Sequence, residues 1–140
     1  MYEYNCTVEK VVDGDTIDVV LDLGFDILYK SRVRLYGIDT PESRTRNKDE
    51  KARGKMAGSF LEEAIEEGEK VVIQTKLKDS RGKFGRVLGD VVVDGVNINK
   101  LMVKCHLAVA YHGQSKKDVE AEHMRNREVL IEKGLHNPID

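Results

Sequence analysis

The sequence predicts an α+β fold, mainly β, in which a five-stranded OB-type barrel carries helices, and three observations support this prediction. Five short segments are rich in β-branched residues and alternate apolar with polar positions. One amphipathic segment with helical periodicity lies between the third and fourth of them. The chain has 140 residues, which is too short for a sheet of parallel crossovers but sufficient for a small barrel. We therefore predict one domain over residues 1–140.

The first three strands are predicted within the first 36 residues. Residues 7–21 favour a hairpin, because the Asp-Gly-Asp run at 13–15 is typical of a tight turn. Residues 31–36 alternate basic with aliphatic side chains, which places Arg32 and Arg34 on one face of the third strand. Residues 37–54 are polar and show no apolar periodicity, so we predict a long loop there.

The second half of the barrel follows a helix predicted over residues 56–67, where apolar side chains recur at helical spacing and Gly68 provides a stop. Residues 70–77 and 86–93 read as the fourth and fifth strands, separated by a glycine-containing turn. A short helix over residues 97–104 comes next.

The last predicted element is a charged helix that begins at Ser115, where Ser-x-x-Asp resembles a capping box, and ends at Gly134. No apolar run is long enough to cross a bilayer, and the N-terminus lacks the layout of a signal peptide. We therefore expect an intracellular protein, with secretion of a longer precursor as the alternative, that is monomeric by default and whose two cysteines are free core thiols.

Charge is distributed unevenly along a chain whose formal net charge is only −2. Residues 1–26 and 62–69 are strongly acidic, whereas residues 30–55 and 76–86 are strongly basic. If folding joins the two basic segments, they form a local site for a polyanion. Two ordinary solvated loops would explain the same pattern, and charge alone does not decide between them.

Three clusters have residue types suited to chemistry on phosphates. They are residues 13–16 (Asp-Gly-Asp-Thr), the segment from Arg34 to Glu42, and residues 83–86 (Lys-Phe-Gly-Arg). Each has a structural explanation of its own: a hairpin turn, a corner stiffened by Pro41, and an edge-strand charge.

Together these clusters resemble the staphylococcal nuclease (thermonuclease) family over nearly the whole chain, from about residue 4 to residue 136. Residues 12–16 are similar to the first signature of that family, residues 34–42 to the second, and residues 79–86 to the third. Residues 94–99 are similar to its later segment. The resemblance implies an OB barrel with three helices, in agreement with the fold predicted above.

The resemblance implies a calcium site formed by Asp15, Asp39 and the backbone carbonyl of Thr40. Carboxylate and carbonyl oxygens are hard donors, which suits Ca²⁺ and leaves positions for water and a phosphate oxygen. It also implies that Arg34 and Arg86 clamp the phosphate, since their planar guanidinium groups match phosphate oxygens in pairs.

In the same resemblance, Glu42 corresponds to the candidate general base that activates a water. The implied reaction is calcium-dependent hydrolysis of DNA and RNA, with single strands preferred, that leaves 3′-phosphate ends. Lys83, Phe84 and Tyr111 correspond to residues that hold the nucleotide, although Phe84 replaces a tyrosine. His106 stands where that family usually has a glycine, which would change the end of the second helix.

Two other functions remain open at this point. A noncatalytic OB-fold module that binds nucleic acid or protein would use the same barrel, but such modules typically lose the acids or the arginines. A purely structural barrel would explain each residue separately but not their joint arrangement.

Overall fold

The structure is a computed structural model that describes residues 2–75 and 87–139. Within these two stretches it contains eight strands and three helices. The strands are β1 (Tyr2–Asp13), β2 (Thr16–Asp22), β3 (Leu28–Leu35), β4 (Ile38–Asp39), β5 (Val71–Thr75), β6 (Val87–Val93), β7 (Val96–Asn97) and β8 (Val109–Ala110). The helices are α1 (Lys48–Glu67), α2 (Ile98–Lys104) and α3 (Lys116–Glu132).

Five strands close into a barrel. Antiparallel pairing gives the order β3-β2-β1-β5-β6, and a parallel pairing of β3 with β6 joins the two ends. In that closing pair Val33 lies opposite Val87, and Leu35 lies opposite Gly89. The short strand β7 extends the sheet beyond β6, and β4 pairs with β8 separately. The predicted OB-type barrel with three helices is thereby confirmed.

The core fills the barrel and the space between it and the helices. Alternate positions of the strands point inward, because successive side chains of a strand face opposite sides of the sheet. Fully buried aliphatic side chains come from β2, β3, β5 and β6 and from α1 and α2. They are Ile17, Val19, Val33, Leu35, Ile73, Val91, Leu61 and Met102.

The predicted loop over residues 37–54 is wrong in its second half, because α1 begins at Lys48. The side chain of Asn47 caps the helix by accepting a hydrogen bond from the Glu50 N–H (3.0 Å). Asp49 and Arg53 lie on the buried face of this turn and form an ion pair (3.1 Å). Because these two buried positions are charged, a search for apolar side chains at helical spacing does not detect this part of the helix.

The first half of the same segment also differs from the prediction, since Ile38 and Asp39 form the strand β4. A strand of two residues exists only through its partner β8, which no local pattern reveals. The outer ends of the fourth and fifth predicted strands, at 76–77 and 86, lie outside the described residues, as does the turn between them.

The remaining predicted elements are confirmed with small shifts of their ends, except that β1 begins at Tyr2, five residues before the predicted hairpin. The hairpin of β1 and β2 turns at residues 14 and 15. Ser115 caps α3 by accepting a hydrogen bond from the Asp118 N–H (3.2 Å). Among residues 2–75 and 87–139, no helix is long and apolar enough to cross a membrane.

Both cysteines are free, as predicted, but they are half-buried and pack against the core and are not part of its fully buried set. Burial raises the pKa of the Cys6 thiol to about 11, which keeps it protonated at neutral pH.

Two glycines let α1 pack closely against the segments that carry the acidic motifs. A Cβ on Gly14 would lie 2.8 Å from Cβ of Ala57 in the helix. A Cβ on Gly54 would lie 2.6 Å from the backbone oxygen of Glu42. Because neither position has room for a side chain, α1 supports both the β1–β2 turn and the segment that follows β4.

Candidate active site

Two aspartates, one from the β1–β2 turn and one from β4, lie on either side of one arginine. Nη1 of Arg34 is 3.3 Å from Oδ2 of Asp15, and its Nη2 is 3.7 Å from Oδ1 of Asp39. The backbone N–H of Thr40 also donates to Oδ2 of Asp15 (3.3 Å). The structure therefore brings together Asp15, Arg34, Asp39 and Thr40, which come from the first two predicted motifs.

Strand pairing explains why these residues meet. In the β2–β3 ladder Thr16 lies opposite Arg34, so the arginine projects beside the β1–β2 turn. The Leu35 N–H donates to the carbonyl of Asp15 (2.8 Å) and fixes that turn against β3. Asp39 lies opposite Val109 in the β4–β8 pair.

The neighbouring acids Asp13 and Asp15 have opposite pKa shifts. Burial, and after it the Asp15 carboxylate, raises the pKa of Asp13 to about 6. Burial also opposes ionisation of Asp15. The Arg34 guanidinium and hydrogen bonds from Asp13 and Thr40 outweigh this burial and hold the pKa of Asp15 below its ordinary value. Asp15 therefore loses its proton at a lower pH than Asp13 and is ionised at neutral pH.

Glu42 is exposed and lies three residues after the end of β4. Its backbone N–H donates to the Glu50 carboxylate (3.1 Å), which ties the segment to the first turn of α1. Partial burial and the neighbouring carboxylates raise the pKa of the Glu42 side chain above its ordinary value, although Arg34 opposes the rise. Those carboxylates are Asp15, Asp39 and Glu50.

The donor set suits a hard divalent cation. The carboxylates of Asp15 and Asp39 face the same guanidinium, and their side chains are 14% and 31% exposed. Among the described residues, no three His, Cys, Asp or Glu side chains form a cluster suited to a metal ion. Ca²⁺ takes roughly six to eight oxygen ligands, so these two carboxylates would need a backbone carbonyl, water or phosphate oxygens to complete the shell.

Comparison with known proteins shows the family to which this chain belongs. The model of a family described as "Staphylococcal nuclease homologue" matches residues 32–133, which is more than half of the chain. The chain belongs to the staphylococcal nuclease family. The resemblance inferred from the sequence motifs is thus confirmed.

Several relatives within this family carry names that refer to nucleases. The chain is 34% identical over 108 residues to "Endonuclease YncB" of Bacillus subtilis (strain 168), covering 76% of this chain and 48% of that protein. It is 34% identical over 103 residues to "Thermonuclease" of Staphylococcus intermedius, covering 74% and 57%. It is 30% identical over 115 residues to "Endonuclease YhcR" of Bacillus subtilis (strain 168), covering 78% and 9%. The chain therefore spans less than two thirds of the length of each of these relatives.

Beside the candidate catalytic residues of this staphylococcal nuclease family member lies an open groove of about 1000 Å³. Arg34 and Asp39 line one end of it, together with the predicted nucleotide-binding residue Tyr111. Tyr111 is exposed, and its N–H donates to the carbonyl of Gly37 (2.7 Å). Further lining side chains that the sequence prediction did not include are Tyr36, His112, Gln114 and Lys116.

The third motif cannot be placed in this geometry. Lys83, Phe84 and Arg86 lie outside the described residues, as does the rest of the basic segment 76–86. Their assignment to substrate binding and phosphate clamping therefore stays a prediction from the family resemblance.

His106 takes a backbone conformation that glycine favours, with φ of 64° just after α2. The staphylococcal nuclease resemblance places a glycine at this position, and the histidine accepts the same left-handed region at a cost in strain. Its Nδ1 atom is buried without a hydrogen-bond partner among the described residues.

One contact of the site was missed by sequence reasoning altogether. Nε2 of His123, on α3, lies 2.7 Å from Oδ2 of Asp39. The two residues are 84 positions apart, and no local motif marks His123 within its charged helix. Only the docking of α3 against the short β4–β8 sheet could have revealed it.

Proposed function

We propose that this chain is a calcium-dependent nuclease that hydrolyses phosphodiester bonds of DNA and RNA and leaves 3′-phosphate ends. The family membership and the names of its relatives support a nuclease. The observation that carries the proposal is the position of the Arg34 guanidinium between the Asp15 and Asp39 carboxylates. This arrangement places a guanidinium beside a candidate cation site, and both can stabilise the charge of a reacting phosphate.

Arg34 would bind the scissile phosphate. Its side chain is only 20% exposed, and its backbone is held in the β2–β3 ladder, so little side-chain freedom remains to be lost on binding. A guanidinium donates to two phosphate oxygens at once, and it can stabilise the charge that develops at a five-coordinate phosphorus. A lysine cannot reproduce this paired geometry.

Glu42 would accept a proton from the attacking water. Its raised pKa supports this role, because a carboxylate becomes a better general base as its pKa approaches the working pH. Its exposure leaves it open to solvent water, and the Glu50 contact holds its backbone. The bond from phosphorus to the water oxygen forms as the bond to the 5′-oxygen breaks, and the departing oxygen takes a proton from solvent water to leave as a 5′-hydroxyl.

Asp15, Asp39 and the carbonyl of Thr40 would hold the calcium ion. When bound, the ion neutralises phosphate charge and orients the phosphate for in-line attack. The ionised state of Asp15 at neutral pH is the state that such a ligand needs.

The groove beside Arg34 would hold the nucleotide. Tyr111 is exposed at its edge and can stack on a base, while Lys116 places a cation in the same lining. Stacking needs an unpaired base, so the groove favours single strands over duplexes. The exposed basic residues between Arg44 and Lys55, which do not include the buried Arg53, would attract the nucleic-acid backbone, and this contribution should fall with salt.

The test is digestion of single-stranded DNA, duplex DNA and RNA with calcium and with a chelator, followed by analysis of the product ends. Glu42→Gln and Arg34→Lys should each lower kcat/KM by about 100-fold or more. The matched controls are Glu66→Gln on the exposed face of α1 and Arg32→Lys on the same strand as Arg34. Both controls should stay within about twofold of the unchanged chain. Arg86→Ala tests the remaining arginine in the same assay.

Two results would contradict this proposal. Binding of the three nucleic acids without cleavage would favour the noncatalytic OB-fold module. Cleavage that persists in the chelator would remove calcium from the mechanism while leaving the nuclease in place.

A further inference from the structure

The imidazole of His123 gives the two oxygens of Asp39 different partners. Oδ2 of Asp39 lies 2.7 Å from Nε2 of His123, whereas Oδ1 lies 3.7 Å from Nη2 of Arg34. The histidine comes from α3, near the middle of the helix, and its side chain is only 11% exposed. The largely buried His123 therefore binds Oδ2, and Oδ1 is directed toward the candidate cation site.

The second ring nitrogen of His123 makes no hydrogen bond within the described parts of the chain. Nδ1 is buried and has no hydrogen-bond partner among residues 2–75 and 87–139. Because Asp39 offers an acceptor to Nε2, we assign a proton to Nε2, which donates it to Oδ2 of Asp39.

The backbone of Asp39 lies in a short two-stranded pairing outside the main barrel. The strand β4 has two residues and pairs only with the two residues of β8 within the described chain. Asp15, by contrast, lies in a turn of the main barrel and accepts a hydrogen bond from the Thr40 N–H. The orientation of the Asp39 carboxylate thus depends on its side-chain partners more than on the sheet.

We propose that His123 is a positioning residue that orients Asp39 to bind a divalent cation. It donates Nε2–H to Oδ2 and leaves Oδ1 directed toward Asp15 and Arg34. Groups that hydrogen-bond to a metal ligand fix its orientation, and their loss typically weakens metal binding by about 10–100-fold. This inference rests on the proposed calcium site, whose ligands include Asp39.

The test measures binding of Ca²⁺ to the 140-residue chain by titration calorimetry, without nucleic acid. His123→Leu removes the donor and should raise the Kd for Ca²⁺ by about 10–100-fold. His123→Gln keeps an N–H at a similar reach and should stay within about threefold of the unchanged chain. Rescue by glutamine separates hydrogen bonding from simple filling of the space.

The matched control is His136→Leu. His136 is another buried histidine that contacts a carboxylate, in this case Asp49, through Nε2 (2.9 Å). This variant should lose stability while its Kd for Ca²⁺ is unchanged at a temperature where circular dichroism shows it folded. Activity adds a second readout, because His123→Leu should regain most of its kcat at saturating calcium, whereas a damaged fold would not.

The outcomes separate the inference from the proposed function. If the unchanged chain binds Ca²⁺ and His123→Leu binds it equally well, the positioning role is wrong and the calcium site stands. An equal loss of affinity in His136→Leu also overturns the positioning role, because both losses would then follow from destabilisation. If the unchanged chain binds neither Ca²⁺ nor Mn²⁺, the metal site is wrong and the positioning role with it.

Discussion

Asp39 and Asp49 both have arginine and histidine partners. They differ in how many close hydrogen bonds their carboxylates accept. Asp49 accepts hydrogen bonds from four groups of the protein at 2.9 to 3.1 Å: Arg53, Arg127, His136 and the backbone N–H of Ile139. Asp39 has one close partner, His123, and a more distant ion pair with Arg34.

Exposure follows the same division. The Asp49 side chain is 10% exposed, whereas that of Asp39 is 31% exposed. Burial by itself would raise the pKa of Asp49, but its four hydrogen bonds outweigh burial and hold the pKa well below its usual range. A carboxylate whose oxygens already accept several hydrogen bonds from the protein stabilises the fold. A carboxylate with lone pairs that accept no hydrogen bond from the protein remains available to a ligand.

The comparison is tested most strongly by Asp39→Asn. Because an amide removes the negative charge of a candidate metal ligand, we expect kcat/KM for single-stranded DNA to fall by at least about 100-fold. The free energy of unfolding measured by urea, with a chelator present, should change by less than about 1 kcal/mol. A large loss of stability would show that Asp39 serves the fold in the same way as Asp49.

Asp49→Asn should give the reverse result. The substitution leaves the buried guanidinium of Arg53 without its anion and removes one of the two anions of Arg127, and breaking a buried pair typically costs about 3–5 kcal/mol. Urea unfolding should register this loss, while kcat at a temperature where the variant is folded stays within about threefold. A fall in kcat comparable to that of Asp39→Asn would mean that the two clusters are coupled.

The dependence of stability on pH should also differ between the two regions. Asp49 has a lowered folded pKa, so its contribution is present above its unfolded pKa of about 3.9 and is lost as the pH falls. Asp13 has a folded pKa raised to about 6, so its contribution is complete below pH of about 3.9 and is lost as the pH rises through about 6.

Unfolding by urea in the presence of a chelator, between pH of about 2 and about 8, measures both contributions. Asp49→Asn should flatten the loss of stability on the acid side, and Asp13→Asn should flatten the decline between about pH 4 and about pH 6. If each variant only shifts the whole profile by a constant amount, the assignment of these slopes is wrong.

The sequence was informative where structure depends on near neighbours. The hairpin of β1 and β2 and the C-terminal half of α1 follow from local periodicity and turn residues, and Ser115 marks the start of α3. The start of α1 at Lys48 was missed because Asp49 and Arg53 occupy its buried face as a charged pair. Their partners Arg127 and His136 come from the other end of the chain.

The candidate site was also predictable only where it depends on local sequence motifs. Asp15, Arg34 and Asp39 were predicted from the order of residue types in a family, and the structure places them together. His123 and the strand β4 could not be predicted, because both depend on contacts with segments about 70 to 84 residues away. Histidine in a charged helix is ordinary, and only its tertiary partner distinguishes it.

His106 can be compared with His123 and His136, the histidines that contact Asp39 and Asp49. It sits at φ of 64°, and its buried Nδ1 has no partner within the described residues. His106→Gly should therefore raise the free energy of unfolding by about 0.5–1 kcal/mol, since relief of left-handed strain exceeds the entropy that glycine adds to the unfolded chain. The matched control is Asp94→Gly, at φ of 49°, where the carboxylate accepts hydrogen bonds from the Glu69 and Lys70 N–H groups. That variant should lose stability despite the same relief of strain, so equal gains in both would show that side-chain hydrogen bonds contribute little here.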